Sequence, residues 1–139
     1  MLGPPDLSAR FLPHWFDRAY TLNQVCIICN VPYDTCFRWL QLIKATGLFF
    51  GEKRGREWLF DCHELYTYRI LAAFFRFGMP VAAAQIRAVV HFTFGDDGVP
   101  RIPEGKLIQT AADAEFSINA TALYHAIAEA TKPEADADA

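Results

Sequence analysis

The 139 residues predict a mainly α-helical fold: a winged helix-turn-helix with a small β-hairpin, followed by a C-terminal hairpin and helix. Three observations carry this expectation. Two short segments with helix start and stop signals flank Asn30, Val31 and Pro32. A Gly-containing basic loop, GEKRGRE at 51–57, sits between two apolar runs directly after them. Two further apolar-patterned segments then follow, bounded by Asp61, Gly78 and Pro80.

Residues 1–19 hold Gly3, Pro4, Pro5 and Pro13 and show no clean period, so an irregular arm is expected, with Phe11, Trp15 and Phe16 available to dock. Thr21 followed by Gln24 has the capping-box spacing, in which each side chain accepts the other residue's free backbone amide. This predicts a helix over 22–29. Asn30 suits the left-handed turn after it. Pro32 suits the start of a second helix, where a missing amide costs nothing. That helix is expected to reach Ala45, with Gly47 closing it. Val25, Ile28 and Cys29 are expected to meet Cys36, Phe37 and Leu40. Tyr33, Asp34, Arg38, Gln41 and Lys44 are expected on the exposed side.

Apolar runs at 48–50 and 58–60 predict a hairpin whose tip carries Lys53, Arg54 and Arg56. A basic hairpin directly after a helix-turn-helix is a wing. Asp61 and Glu64 repeat the capping-box spacing and predict a third helix over 62–77, rich in Leu65, Tyr68, Leu71, Phe74 and Phe75. Gly78 ends it, and Pro80 opens a fourth helix containing Ile86, Val89 and Val90. The stretch FTF-GDDG-VPRI predicts a second hairpin, with strands near 92–94 and 99–102. A helix over 117–131 would present Ile118, Leu123, Tyr124 and Ile127, and the acidic end at 132–139 is expected to be disordered. The chain thus divides into an arm (1–19), a winged helix-turn-helix domain (20–91), a segment for dimerisation or partner contact (92–131) and a tail.

Net charge is -3, yet residues 1–91 carry ten Lys/Arg against seven Asp/Glu, and residues 92–139 carry three against nine. A phosphate backbone needs a local basic face and not a basic total. No run approaches the roughly 18 apolar residues of a membrane span, and MLGPPDLSAR lacks a basic start followed by an apolar stretch, so a cytoplasmic protein without membrane contact is expected. Cys26, Cys29, Cys36 and Cys62 could suggest a metal site. However, Cys26 and Cys29 lie one turn apart on a helix that needs small apolar residues, and no second Cys-x-x-Cys completes a zinc set. No metal or cofactor is expected. His14, His63, His91 and His125 are scattered, no triad order or phosphate-binding Gly loop stands out, and enzymatic activity is not expected.

The order YTLNQVCIICNVPYDTCFRWLQLIKATGLF, a basic hairpin, then DCHELYTYRILAAFFRFGMPVAAAQIRAVV resembles the winged-helix DNA-binding domain of the MerR superfamily and the related excisionase-like domains, over about residues 20–90. Residues 35–39, Thr-Cys-Phe-Arg-Trp, are similar to the family's recognition helix, and Gly47-Leu48 to its end. Leu40 stands where MerR proteins proper carry a tyrosine. The resemblance implies that Arg38 and Trp39 lie near the DNA backbone, that Tyr33, Thr35 and Gln41 lie nearer the bases, and that Arg54 and Arg56 are wing contacts.

The expected function is therefore sequence-specific binding of double-stranded DNA by a transcription regulator of bacterial or phage origin. The expected form is a homodimer, with RNA polymerase or another regulator as further partner. Two other readings stand beside it. One is a phage-type architectural protein, like an excisionase or a terminase small subunit. The other is a protein–protein adaptor that does not bind DNA. No segment after residue 91 has the size of an ordinary ligand-binding domain, so regulation by abundance or by a protein partner is expected over direct ligand sensing.

Overall fold

The computed structural model describes residues 14–79, 81–95, 97–101, 106–111 and 114–130. Residues 1–13 of the arm expected at 1–19, residue 131 at the end of the expected last helix and the tail expected at 132–139 lie outside the described residues, as does Pro80. Among the described residues the order is β1 (Tyr20–Thr21), α1 (Leu22–Cys29), α2 (Tyr33–Lys44), β2 (Glu52–Arg54), β3 (Glu57–Phe60), α3 (Cys62–Arg76), α4 (Ala83–Phe94), β4 (Lys106–Ala111), β5 (Ala114–Asn119) and α5 (Ala120–Ala130). The fold is mainly helical, with a small three-stranded antiparallel sheet ordered β1-β3-β2 and a separate two-stranded sheet.

Local chemistry accounts for the α1–α2 pair. Gln24 N–H donates to Thr21 Oγ1 at 3.2 Å, and Thr21 N–H donates to Gln24 Oε1 at 2.8 Å, which completes the capping box. Asn30 adopts φ 55°, ψ 52°, the left-handed cap that lets the chain reverse. Pro32 precedes α2, and its carbonyl accepts from Cys36 N–H at 3.1 Å. Gly47, at φ +88°, ends the last turn by donating to the Lys44 carbonyl. Val25, Cys29, Cys36 and Leu40 are buried in one core cluster, and Phe37 is only partly buried against it. Ile28 is 40% exposed, and Leu22 and Cys26 fill the inward face instead.

The hairpin is shorter than its apolar flanks suggest. Gly51 takes φ +70° and bends the run, and a Cβ there would lie 2.8 Å from the Phe60 ring. Strand pairing therefore begins at Glu52 rather than at residue 48. Phe50 turns into the core and Phe49 out of it. Tyr20 and Thr21 add an edge strand opposite Phe60 and Leu59.

Helix α3 lies at the centre of the core, with Tyr66, Tyr68, Ile70, Leu71 and Phe74 fully buried. Its capping box is buried too: Glu64 N–H donates to Asp61 Oδ1 at 2.8 Å, and Asp61 N–H to Glu64 Oε1 at 2.9 Å. The hairpin expected at 92–94 and 99–102 is not formed. Phe92, Thr93 and Phe94 complete α4, and Thr93 donates its hydroxyl proton to the Val89 carbonyl. Val89, Val90, Thr93 and Phe94 share one buried helical face, and that tertiary burial outweighs the β-branched and aromatic preference of the local run. Residues 97–101 form no strand. The second hairpin is β4–β5, pairing Lys106 with Asn119 and Ala111 with Ala114. It takes Ile118 out of the final helix, which begins at Ala120 behind Asn119, whose Oδ1 accepts from Ala122 N–H. Tyr124 and Ile127 of α5 pack into the same core.

Residues 14–19 are held down by a buried polar chain. Trp15 is fully buried, and its indole N–H donates to His63 Nδ1 at 3.0 Å. His63 Nε2 lies 2.7 Å from the Thr93 carbonyl, so the neutral ring carries its proton on Nε2 and donates there. A cationic ring would aim a second N–H at the indole donor. Burial accordingly pushes the imidazole down to about 4. Next to it, burial and then the Glu64 charge push the Asp61 carboxyl up to about 7.

These two shifts act on stability with opposite sign. Between pH of about 4 and 6.5 the unfolded chain holds the His63 proton and the native one does not, so this contribution rises with pH. Between about 4 and 7 the native Asp61 holds a proton that the unfolded chain has lost, so that contribution falls with pH. In Asp61→Asn, which keeps a capping side chain, the falling part is removed. Its melting temperature is expected to climb more steeply than that of the wild type between pH 4 and 6.5, as followed by circular dichroism. Parallel curves would mean that the native Asp61 carboxyl holds its proton no more tightly than the unfolded chain does.

Candidate nucleic-acid interface

Helix α2 has one buried face and one exposed face. Cys36, Trp39, Leu40 and Ile43 point inward, and the Cys36 carbonyl is held by the Tyr68 hydroxyl of α3 at 3.1 Å. Asp34, Arg38, Gln41 and Lys44 lie on the outer side, Tyr33 is about half exposed, and Thr35 is half-buried. Tyr33 stacks on Phe37 with ring centroids 6.4 Å apart and planes 9° from parallel, which fixes an aromatic surface at the start of the helix.

Trp39 is a correction to the expected contact set. It is 1% exposed, packed edge-on to Phe75 at 5.8 Å and against Tyr68 at 6.5 Å. Its place on the helix, three residues after Cys36 and four before Ile43, puts it on the core side. Its buried ring anchors α2 to α3.

The hairpin turn presents Lys53, Arg54 and Arg56, all exposed, around Gly55 at φ +63°. Arg54 pairs with Glu52 at 3.0 Å, a surface contact of about 0–1 kcal/mol that a phosphate would readily displace. The helix and the hairpin are joined at one point: Lys44 Nζ lies 4.9 Å from the centroid of the Trp58 ring. This cation–π contact ties the C-terminal end of α2 to β3.

Other cations of the N-terminal half are engaged elsewhere. Arg69 donates to the Ile28 carbonyl at 3.3 Å and Arg76 to the Cys29 carbonyl at 2.7 Å. Both reach from α3 to the C-terminal end of α1, where exposed carbonyls and the helix dipole favour positive charge. Arg18 pairs with the buried Glu64 at 3.3 Å. Sequence reasoning missed these roles. The one signal that could have found them was the seven-residue spacing of Arg69 and Arg76, which places both on one helix face.

The four cysteines are buried. Burial pushes the Cys29 thiol up to about 12 and raises those of Cys26 and Cys36 as well, which disfavours the thiolate that a metal needs. No group of three or more His, Cys, Asp and Glu side chains able to hold a metal ion occurs among the described residues. No helix among them is long and apolar enough to cross a membrane. Comparisons with family models, curated proteins and solved structures found no match to this chain.

Proposed function

We propose that the chain is a winged helix-turn-helix DNA-binding protein, similar in type to the MerR and excisionase-like domains, and that it acts as a transcription regulator. The observation that supports this reading is that the polar face of α2 and the basic β2–β3 turn are both exposed, with Lys44 of α2 against Trp58 of β3. A helix of this width fits the major groove, and its exposed polar side chains can reach base edges. Arg38, Lys44, Lys53, Arg54 and Arg56 then serve the phosphates. Tyr33, Asp34, Thr35 and Gln41 read or exclude bases. Binding as a symmetric pair of chains would match two half-sites.

Selection from a pool of random duplexes at two salt concentrations tests it. The expected result is a recovered motif that weakens with salt, and a changed motif for Gln41→Ala and Tyr33→Ala. Salt-sensitive retention without a motif would instead support the architectural reading. No retention at either salt would overturn DNA binding. The adaptor reading draws on the exposed aromatic side chains of Phe75 and Phe77 at the end of α3, and would then be the one to pursue.

A further inference from the structure

We propose that the cleft between the residue 14–18 segment, the loop at 46–49 and α4 is a binding site for a small carboxylate with an apolar body. The cleft is open to solvent and offers about 710 Å³, within the roughly 300–1,000 Å³ of small-molecule sites. It is separate from the surface assigned to DNA: none of the α2 or hairpin residues given that role lines it.

The chemistry of the lining selects the ligand. The floor holds Glu64, both of whose oxygens accept from within the protein, and Asp61, one of whose oxygens does. Glu64 accepts from the backbone N–H groups of Asp61 and Gly51 and from Arg18. Asp61 accepts from Glu64 N–H. At the rim, Asp97 accepts from Val99 N–H at 3.0 Å. Two guanidinium groups stand beside these acids. Arg18 spends one terminal nitrogen on Glu64 and keeps a partly exposed guanidinium, while its Nε is buried without a partner and out of a ligand's reach. Arg87 adds an exposed guanidinium from α4. A carboxylate meets guanidinium donors with matching geometry and charge.

The walls select the rest of the molecule. Phe16, Leu48, Val90 and Phe94 line the cleft, and Phe49 stands 71% exposed at its edge with the Arg18 guanidinium 5.2 Å above its ring. An exposed phenyl beside an arginine and an apolar wall suits a ligand that is flat and apolar at one end and anionic at the other. Because residues 46–49 join α2 to β2, an occupant would bear on the two parts assigned to DNA. That consequence rests on the DNA reading, whereas the site itself does not.

The test is calorimetric titration of the full chain, without DNA, using phenylacetate, its neutral amide phenylacetamide, and inorganic phosphate. The expected result is saturable binding of phenylacetate at a single site. The amide and phosphate should each be weaker by about tenfold or more, the scale of one missing charge-assisted hydrogen bond or of the missing apolar body. Arg87→Gln and Phe49→Ala both change exposed side chains, and each is expected to weaken phenylacetate about tenfold. Circular dichroism would check that both variants remain folded. No binding of phenylacetate at millimolar concentration would overturn the site, as would equal binding of the amide or unchanged affinity in both variants. Failure here leaves the duplex selection unaffected, so the two readings fall separately.

Discussion

Trp15→Ala is expected to cost the fold about 3–5 kcal/mol, the range for deleting a large buried aromatic side chain. The indole is fully buried, packs on Tyr124 of α5 at 4.7 Å between centroids, and donates the hydrogen bond that His63 Nδ1 accepts. Truncation therefore opens a cavity and also leaves a buried ring nitrogen without its donor, a further cost of about 1–3 kcal/mol if no water replaces it. Native domains hold only about 5–15 kcal/mol in total, so the variant should sit close to unfolding. Urea melts would read the change as a lower midpoint. Trp15→Phe keeps most of the packing and gives up the hydrogen bond, so it should fall between the two. A Trp15→Ala variant within about 1 kcal/mol of the wild type would mean that residues 14–19 do not dock as described.

The second large effect concerns binding. Arg54→Ala combined with Arg56→Ala is expected to reduce affinity for every duplex by roughly 10- to 100-fold, at about 0.7–1.4 kcal/mol for each phosphate interaction removed. The slope of log affinity against log salt should become shallower by about 1.8, since each neutralised phosphate contributes about 0.9. Both side chains are exposed on the hairpin turn, so the fold should be unaffected. Binding isotherms at several salt concentrations decide it. A variant with unchanged affinity but an altered motif would reverse the roles assigned to the hairpin and to α2.

Much of this surface is legible in the sequence because its signals are local. Thr21 with Gln24 and Asp61 with Glu64 start α1 and α3 within hydrogen-bond reach along the chain. Asn30 and Gly47 mark turns that their own backbone preferences allow. The exposure of Arg38, Gln41 and Lys44 follows from helical period alone. The role that the resemblance implies for Trp39 fails, because the period that places Cys36, Leu40 and Ile43 in the core places Trp39 there too. The strand expected at 92–94 fails for a different reason. Three residues rich in aromatic and β-branched types suit either element, and the buried partners Thr67 and His63 on α3 decide for helix. Between β4 and β5 the sequence is Ala112-Asp113, without the Asn-Gly type of turn signal that marks a hairpin. A ligand cleft requires no domain of its own when segments far apart in sequence supply its walls.

Where α1, α2 and α3 begin, which residues turn the chain between them, and that a basic turn follows are all written in the amino-acid order. Each of these depends on groups a few residues apart, whose bonding the backbone geometry already dictates. Which cations remain free to meet a ligand is settled instead by long-range packing. Arg69 and Arg76 are taken by carbonyls more than 40 residues away and Arg18 is drawn to Glu64 beside the cleft, while the basic turn stays exposed. The same packing places Trp15 in the core and keeps His63 neutral beside it, because their burial and their partners come from segments that meet only when the chain has folded.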